Sequence, residues 1–361
     1  MRQSIEKLTI EGFRSIRKLG DFRLRDVNIL IGANGSGKSN FISFFSLVSE
    51  IAEERLQFDV NKHGGADSHL FLGPKNTDLI AGKILFTQKG YEFRLEPTAD
   101  NRLIFREERI CSQEDSLSLG SGHSESLLKM RTQKDQNADM TPCIHKAISG
   151  WTFYHFHDTG SIAAVRRPRT IRDNEYLRPD AGNLAAFLFD LRQRDQGRYD
   201  LIRDTVRLAA PFFDDFRLRP VRLENGDAMI QPEWTQRHTD FPFHPSQLSD
   251  GTLRFICLAT ALLQPDPPGA MFFDEPELGL HPEAIQILAG LVRQARDRTQ
   301  VIAATQSATL LNHFEPEDVI VTDRENGESV FRRLSSENLK EWLEEYSLGE
   351  LWQKNVFEGG V

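Results

Sequence analysis

The run Gly32-Ala33-Asn34-Gly35-Ser36-Gly37-Lys38-Ser39 sets three glycines, a lysine and a hydroxyl at the spacing GxxxxGK[ST]. Glycines at those places let successive backbone N–H groups curl around phosphate oxygens, and a helix starting there adds the positive end of its dipole. Lys38 then reaches the β- and γ-phosphates of ATP, and Ser39 holds Mg²⁺, with Asn40 next in line. The neighbours of the loop agree with this chemistry. Val27–Ile31 is a short apolar run stopped by glycine, and Phe41, Phe44, Phe45, Val48 and Ile51 recur at helical spacing. A glycine-rich turn before an ordinary helix is the bland reading. Strand, glycine loop and helix in this order favour the nucleotide site.

Two more places carry chemistry. Ala270–Phe273 is an apolar strand that ends in Asp274-Glu275, where α/β sites form. Downstream of a phosphate loop, Asp274 is expected to bind Mg²⁺, largely through water, and Glu275 to act as the general base that polarises the attacking water. Leu248-Ser249-Asp250-Gly251-Thr252 immediately precedes a long apolar helix. Ser249 is a natural N-cap there, so the helix turns N–H groups and a hydroxyl outward.

The elements that must position these residues follow from periodicity. Residues 5–31 read as paired strands, and Lys83–Gln88, Tyr91–Pro97 and Arg102–Glu107 as a small meander. Residues 112–142 are polar and read as a mobile surface excursion. Trp151–Phe156 reads as a strand, and residues 180–210 as helical, with Leu184, Phe187, Leu188 and Leu191 on one face. Phe212-Phe213-Asp214-Asp215 reads as a helix end and turn. Beyond Thr252, helix and strand alternate, which indicates a largely parallel α/β sheet. The expected division is a discontinuous nucleotide-binding core at 1–110 and 245–335, a surface insertion and helical lobe at 111–244, and a closing helix and tail at 336–361.

The bulk composition excludes several classes. A chain of 361 residues with 39% apolar and 27% charged residues is globular. No stretch approaches the roughly 18 apolar residues of a membrane span, and the opening residues read as neither signal peptide nor anchor. Cys111, Cys143 and Cys257 lie far apart, which suits a reducing cytoplasm rather than a disulfide framework. With a net charge of −9, nucleic-acid contact would need a local basic patch or a partner.

Taken together, these motifs resemble the RecF/SMC-like branch of ABC ATPases, and within it the stand-alone "AAA family ATPases" of the AAA_21 type. The resemblance rests on Ile10-Glu11-Gly12-Phe13-Arg14-Ser15-Ile16, the phosphate loop, Leu248–Thr252, Asp274-Glu275-Pro276-Glu277-Leu278-Gly279-Leu280-His281-Pro282, and the ending Trp342–Trp352. It implies a P-loop NTPase head with a mixed sheet, an antiparallel β edge and a helical signature lobe. It also implies a homodimer that sandwiches ATP, in which Ser249 and Gly251 face the γ-phosphate held by the other copy. Arg14 and Ser15 would lie near the nucleotide, and Glu277–His281 would cross the dimer interface. The signature here reads Ser-Asp-Gly-Thr, and Gln306 stands where a switch histidine is expected. Glutamine can hydrogen-bond a phosphate or water but carries no charge, so slow hydrolysis is expected. The implied use is an ATPase switch that senses DNA or controls a separate effector, such as a nuclease or toxin, in DNA maintenance or anti-phage defence. The alternative is a hydrolysis-poor ATP-binding scaffold for a partner.

Other features divide between two readings. His155 and His157 share a strand face but lack further ligands at a recognisable spacing, which favours structural duties. His157-Asp158-Thr159 falls roughly where a Q-loop joins two lobes, without its glutamine. Arg166-Arg167-Pro168-Arg169-Thr170-Ile171-Arg172 fits a nucleic-acid or acidic-partner contact about as well as a solvated loop. The segment after Gln306 is expected to hold only the last strands and the closing helix, without a nuclease domain.

Overall fold

Val27–Ile31 is buried along its whole length, as a strand with four apolar residues of five and neighbours on both sides must be, and its one polar residue, Asn28, is hydrogen-bonded to Arg25. Gln300–Thr305 and Val319–Glu325 flank it in parallel, with Val301 opposite Val27 and Thr305 opposite Ile31. The computed structural model describes residues 3–112, 116–131, 140–224 and 226–357. They fall into two units: Met1–Thr152 with Pro268–Phe272 and Arg298–Val361, and Phe153–Pro267 with Phe273–Asp297.

The central sheet of the first unit runs Glu328–Arg333, Val319–Glu325, Val27–Ile31, Gln300–Thr305, Ala270–Asp274, Trp151–Tyr154. A second, antiparallel sheet runs Ile16–Arg23, Ile5–Phe13, Ile80–Phe86, Lys89–Pro97, Leu103–Ser112, Ser116–Gly120. The helix Lys38–Ala52 fills the space between the sheets. Its Phe44 stacks on Phe93 of the antiparallel sheet at 6.1 Å, and its Phe45 meets Phe272 of the central sheet at 4.9 Å. Helical spacing of large aromatics thus lets one helix bury two faces at once. Gln300 adds a polar tie. Its amide accepts from the N–H of Ile5 at 2.9 Å and donates to the carbonyls of Ile5 and Arg25 at 2.9 and 2.8 Å.

The second unit is mainly helical: Leu184–Arg194, Gln196–Ala209, Asp250–Leu263 and Pro282–Ala295. From Leu253 to Leu263 every residue of the Asp250–Leu263 helix is buried, and it packs on the helices either side of it, Gln196–Ala209 and Pro282–Ala295. Two small sheets complete the unit, one pairing Phe213–Arg217 with Glu233–Gln236, the other ordered Val221–Arg222, Ala228–Ile230, Arg169–Thr170.

Several elements differ from the sequence expectation. The expected helical stretch at 180–210 is two helices, because Asp195 leaves helical geometry and its carboxylate caps the second helix through Arg198 N–H. Phe213–Arg217 is a strand rather than a turn. A bulge between Phe213 and Asp215 puts the buried Phe213 and Phe216 three residues apart, which hides the two-residue period. Within 112–142, Ser116–Gly120 joins the antiparallel sheet, and Leu128–Arg131 and the start of Met140–Ser149 are helical. The expected mobility of 113–115 and 132–139 lies outside the described residues. Residues 245–267 and 273–297 belong to the helical unit rather than to the core, since helix–strand alternation does not reveal which neighbours a helix buries against. The closing segment holds two helices, Ser336–Leu343 and Leu348–Gln353. Among the described residues no helix is long and apolar enough to cross a membrane.

Replacing Gln300 by alanine would remove its bonds to the buried N–H and carbonyl of Ile5, and would leave the Arg25 carbonyl only its bond from Asn28 Nδ2 at 2.6 Å. Gln300→Ala is therefore expected to lower unfolding free energy by about 3 kcal/mol in chemical denaturation. A loss below about 1 kcal/mol would show that these bonds do not tie the sheets.

Candidate functional site

In the first unit, the loop after Val27–Ile31 and the residue after Gln300–Thr305 leave adjacent parallel strands at the same end, because Ile31 pairs with Thr305. Gly32 and Gln306 thus share the carboxyl edge of the sheet, the place where α/β folds bind ligands. Gly37 caps the helix Lys38–Ala52 in the left-handed region, at φ 115. A Cβ there would stand 2.0 Å from Ser329 Oγ, so only glycine fits. Lys38 is buried, and its ammonium donates to the carbonyls of Gly32 at 2.6 Å and Ala33 at 2.9 Å. It lies across the loop whose amides a phosphate would meet. Ser39, Asn34 and Gly35 are exposed, and Ser36 Oγ is buried with no hydrogen-bond partner among the described residues. An ammonium, a run of backbone donors and a hard hydroxyl suit a phosphate with Mg²⁺.

The turn at Arg14-Ser15 is held against this loop. Asn40 Nδ2 donates to Ser15 Oγ at 2.7 Å, Ser329 Oγ lies 2.7 Å from Ser15 Oγ and 2.6 Å from the Ser36 carbonyl, and Ser329 N–H donates to the Ser15 carbonyl at 2.7 Å. Ser329 was invisible to sequence reasoning: a serine after an Asn-Gly turn carries no spacing signal. Arg14 has φ 50, its N–H donates to the His69 carbonyl at 2.8 Å, and its guanidinium lies over Phe13. Burial pulls the guanidinium below its ordinary pKa, and the charge of Asp59 opposes that. Arg14, Ser15, Asn40, His63 and Arg324 share one open cleft of about 440 Å³.

In the second unit, Ser249 caps Asp250–Leu263 as expected, accepting from Thr252 N–H at 3.1 Å. Gly251 is forced by contact rather than by φ. A Cβ there would come within 2.3 Å of the Gly279 carbonyl, so the helix start presses on the loop after Glu275. Ser249, Gly251, Gly279 and His281 border one cleft of about 130 Å³. Asp274 ends its strand, and Glu275 follows with φ 43. The turn then closes through Leu278 N–H to the Glu275 carbonyl and Leu280 N–H to the Glu277 carbonyl. Arg254 is the residue that sequence reasoning missed here. Buried one turn into the apolar helix, it donates to the carbonyls of Phe156 at 3.0 Å, His157 at 3.2 Å and Leu278. A single arginine within the apolar run of that helix was the available signal. Burial lowers its pKa, opposed by Asp250, Cys257 and Glu277.

The basic segment divides. Arg166 is buried and holds the carbonyls of Thr159, Pro245 and Leu248 and the carboxylate of Asp250, so it fixes the signature turn instead of facing a ligand. Arg167, Arg169 and Arg172 are exposed. His155 and His157 are exposed and, among the described residues, belong to no three-ligand cluster.

A glycine loop that follows a buried parallel strand and leads into a helix opened by a buried lysine defines a P-loop NTPase fold. The family described as "AAA domain, putative AbiEii toxin, Type IV TA system" matches residues 27–312, and the chain belongs to that family of nucleotide-binding ATPases. The chain is similar to the solved "SmcHead bound to the C-winged helix domain of ScpA", at 17% identity and TM-score 0.63, covering 93% of this chain and 99% of that one. It is also similar to the Smc head domain bound to the C-terminal domain of ScpA from Pyrococcus furiosus, at 16% identity and TM-score 0.60, covering 95% and 99%. At these identities the likeness carries the fold. No curated protein matches the chain.

A lysine at position 254 could reach fewer of the three carbonyls. Arg254→Lys is expected to cost about 2 kcal/mol and to speed amide hydrogen exchange across 275–281. Unchanged exchange in that loop would mean that Arg254 does not hold it.

Proposed function

We propose that this chain is an ATP-driven dimerising switch. ATP and Mg²⁺ bind the Gly32–Ser39 loop through its amides, Lys38 and Ser39, with Arg14, Ser15 and Asn40 alongside. Asp274 serves Mg²⁺, and Glu275 is the general base. A second copy supplies Ser249 and Gly251 to the γ-phosphate, so each nucleotide is held by two chains. When bound, Mg²⁺ neutralises charge on the β- and γ-phosphates. The protein's own part is to hold the phosphates by fixed amides, to place Gln306 at the sheet edge beside the loop, and to keep Glu275 oriented in its left-handed turn. The observation that carries the reading is the Ser249 cap, with Gly251 pressed on Gly279. That geometry sets the start of a buried helix at the surface, beside the loop that follows Glu275.

The output of such a switch is conformational, set by how much better ATP binds the closed state than the open one. Control of a separate effector, a nuclease or toxin, in DNA maintenance or anti-phage defence is the use that fits. The two Smc heads solved with a piece of ScpA give precedent for a head of this fold with a protein partner. Arg167, Arg169 and Arg172 offer a small basic surface for nucleic acid. A cytoplasmic setting accords with the widely spaced cysteines. A second reading, a hydrolysis-poor ATP-dependent scaffold, is favoured by Gln306, whose neutral amide replaces a chargeable imidazole.

Mixing two disabled variants tests the composite site. Lys38→Ala removes a charge-assisted phosphate contact and is expected to weaken ATP binding by about tenfold or more. Ser249→Arg blocks the signature turn. Each is expected to lack turnover alone, while their mixture regains it, since a heterodimer keeps one intact pair of half-sites. Recovered ATP-dependent association without turnover would select the scaffold reading. No recovery of either would contradict a site shared between chains.

A further inference from the structure

Asp59, His63 and His69, none of them in the phosphate loop, form the one three-residue set among the described residues whose ligand atoms all lie within 4.8 Å of one another. Their placement follows from local structure. Asp59 lies in the helix Leu56–Lys62, His63 is four residues on and so on the same face, and the Gly64-Gly65 turn, with φ 92 at both, returns the chain to bring His69 up beneath them. Asp59 Oδ1 is 3.2 Å from His63 Nδ1, which also lies 2.9 Å from the Asp59 backbone carbonyl and must give up that bond, or turn its ring, to ligate an ion. Asp59 Oδ2 is 3.3 Å from His69 Nε2. Asp59 and His69 are buried, whereas His63 is partly exposed and borders the open cleft that also holds Arg14.

The tautomer of His69 is the telling feature. Its Nδ1 lies 3.0 Å from the Gly65 carbonyl, which can only accept, so Nδ1 carries the hydrogen. With Nδ1 so engaged, Nε2 is the ring atom that faces the Asp59 carboxylate, and its lone pair is what a metal ion lying between the two would take. A backbone carbonyl on the remote ring nitrogen is also the usual support of a metal-binding histidine. The rival explanation is a protonated His69 bonded directly to Asp59, within a cluster that already feels the guanidinium of Arg14. Two imidazoles, one carboxylate and an open side toward a cleft match the three-ligand pattern of zinc-type sites, not the all-oxygen shell that Mg²⁺ prefers.

We propose that Asp59, His63 and His69 bind one divalent transition-metal ion of the zinc class, separate from the nucleotide's Mg²⁺. The ion braces the turn whose His69 carbonyl holds the Arg14 N–H, and so links metal occupancy to the setting of Arg14. The proposal stands whether or not the nucleotide reading does.

The full chain, stripped with chelator and kept free of nucleotide, is titrated with Co²⁺ and then Zn²⁺. One equivalent of Co²⁺ should give the intense visible bands of a low-coordinate nitrogen–oxygen site, Zn²⁺ should displace them, and excess Mg²⁺ should leave them. His63→Ala, at an exposed position, should fold normally and weaken Zn²⁺ binding by about tenfold or more. His155→Ala/His157→Ala should change nothing. Absence of the bands, affinity unaffected by His63→Ala, or loss of binding in the His155/His157 variant would each overturn the site.

Discussion

Gly37 stands in the left-handed region with the Ser329 hydroxyl lying where its Cβ would be. Such a backbone is available only to glycine at little cost, and the helix Lys38–Ala52 starts immediately after it. The contact also brings three distant pieces of chain together: the phosphate loop, the Arg14-Ser15 turn and the hairpin that carries Ser329. The two sheets must therefore meet at a fixed spacing, and the aromatic face of Lys38–Ala52 supplies the burial that holds them there. A phosphate loop is thus a property of the first unit's whole architecture, although its residues are consecutive.

The second unit solves a different problem. A helix buried from Leu253 onward has to present its first turn to solvent without fraying. Ser249 caps it, Arg166 ties the turn's carbonyls and Asp250 from behind, and Arg254 binds the neighbouring loop from within the helix. Both arginines are buried, and carbonyl oxygens supply the hydrogen bonds that such burial demands. The charge that looked available for nucleic acid at Arg166 is in fact structural.

What the sequence disclosed followed the strength of local rules. The phosphate loop, its strand and helix, the serine cap and the Asp-Glu strand end all express themselves within a few residues, and each lies where its spacing placed it. Residues defined by distant contacts were hidden: Ser329, Arg254, and the interior duty of Arg166. The strand at Phe213–Arg217 was missed because a bulge broke its alternation, and the two-helix form of 180–210 because Asp195 looks like an ordinary helical acid until its cap is seen. The Asp59, His63 and His69 cluster escaped notice since only two of its members share a helix face, and a glycine turn delivers the third. Family membership adds the class of chemistry, nucleotide-binding ATPase, and leaves partner and trigger to experiment.

The central claim is that ATP joins two copies of this chain. The most direct measurement is the solution mass of Glu275→Gln, which should bind nucleotide without hydrolysing it, by light scattering with and without Mg-ATP. The account predicts a monomer that doubles in mass when Mg-ATP is added. A mass that stays that of a single chain at saturating Mg-ATP would contradict it.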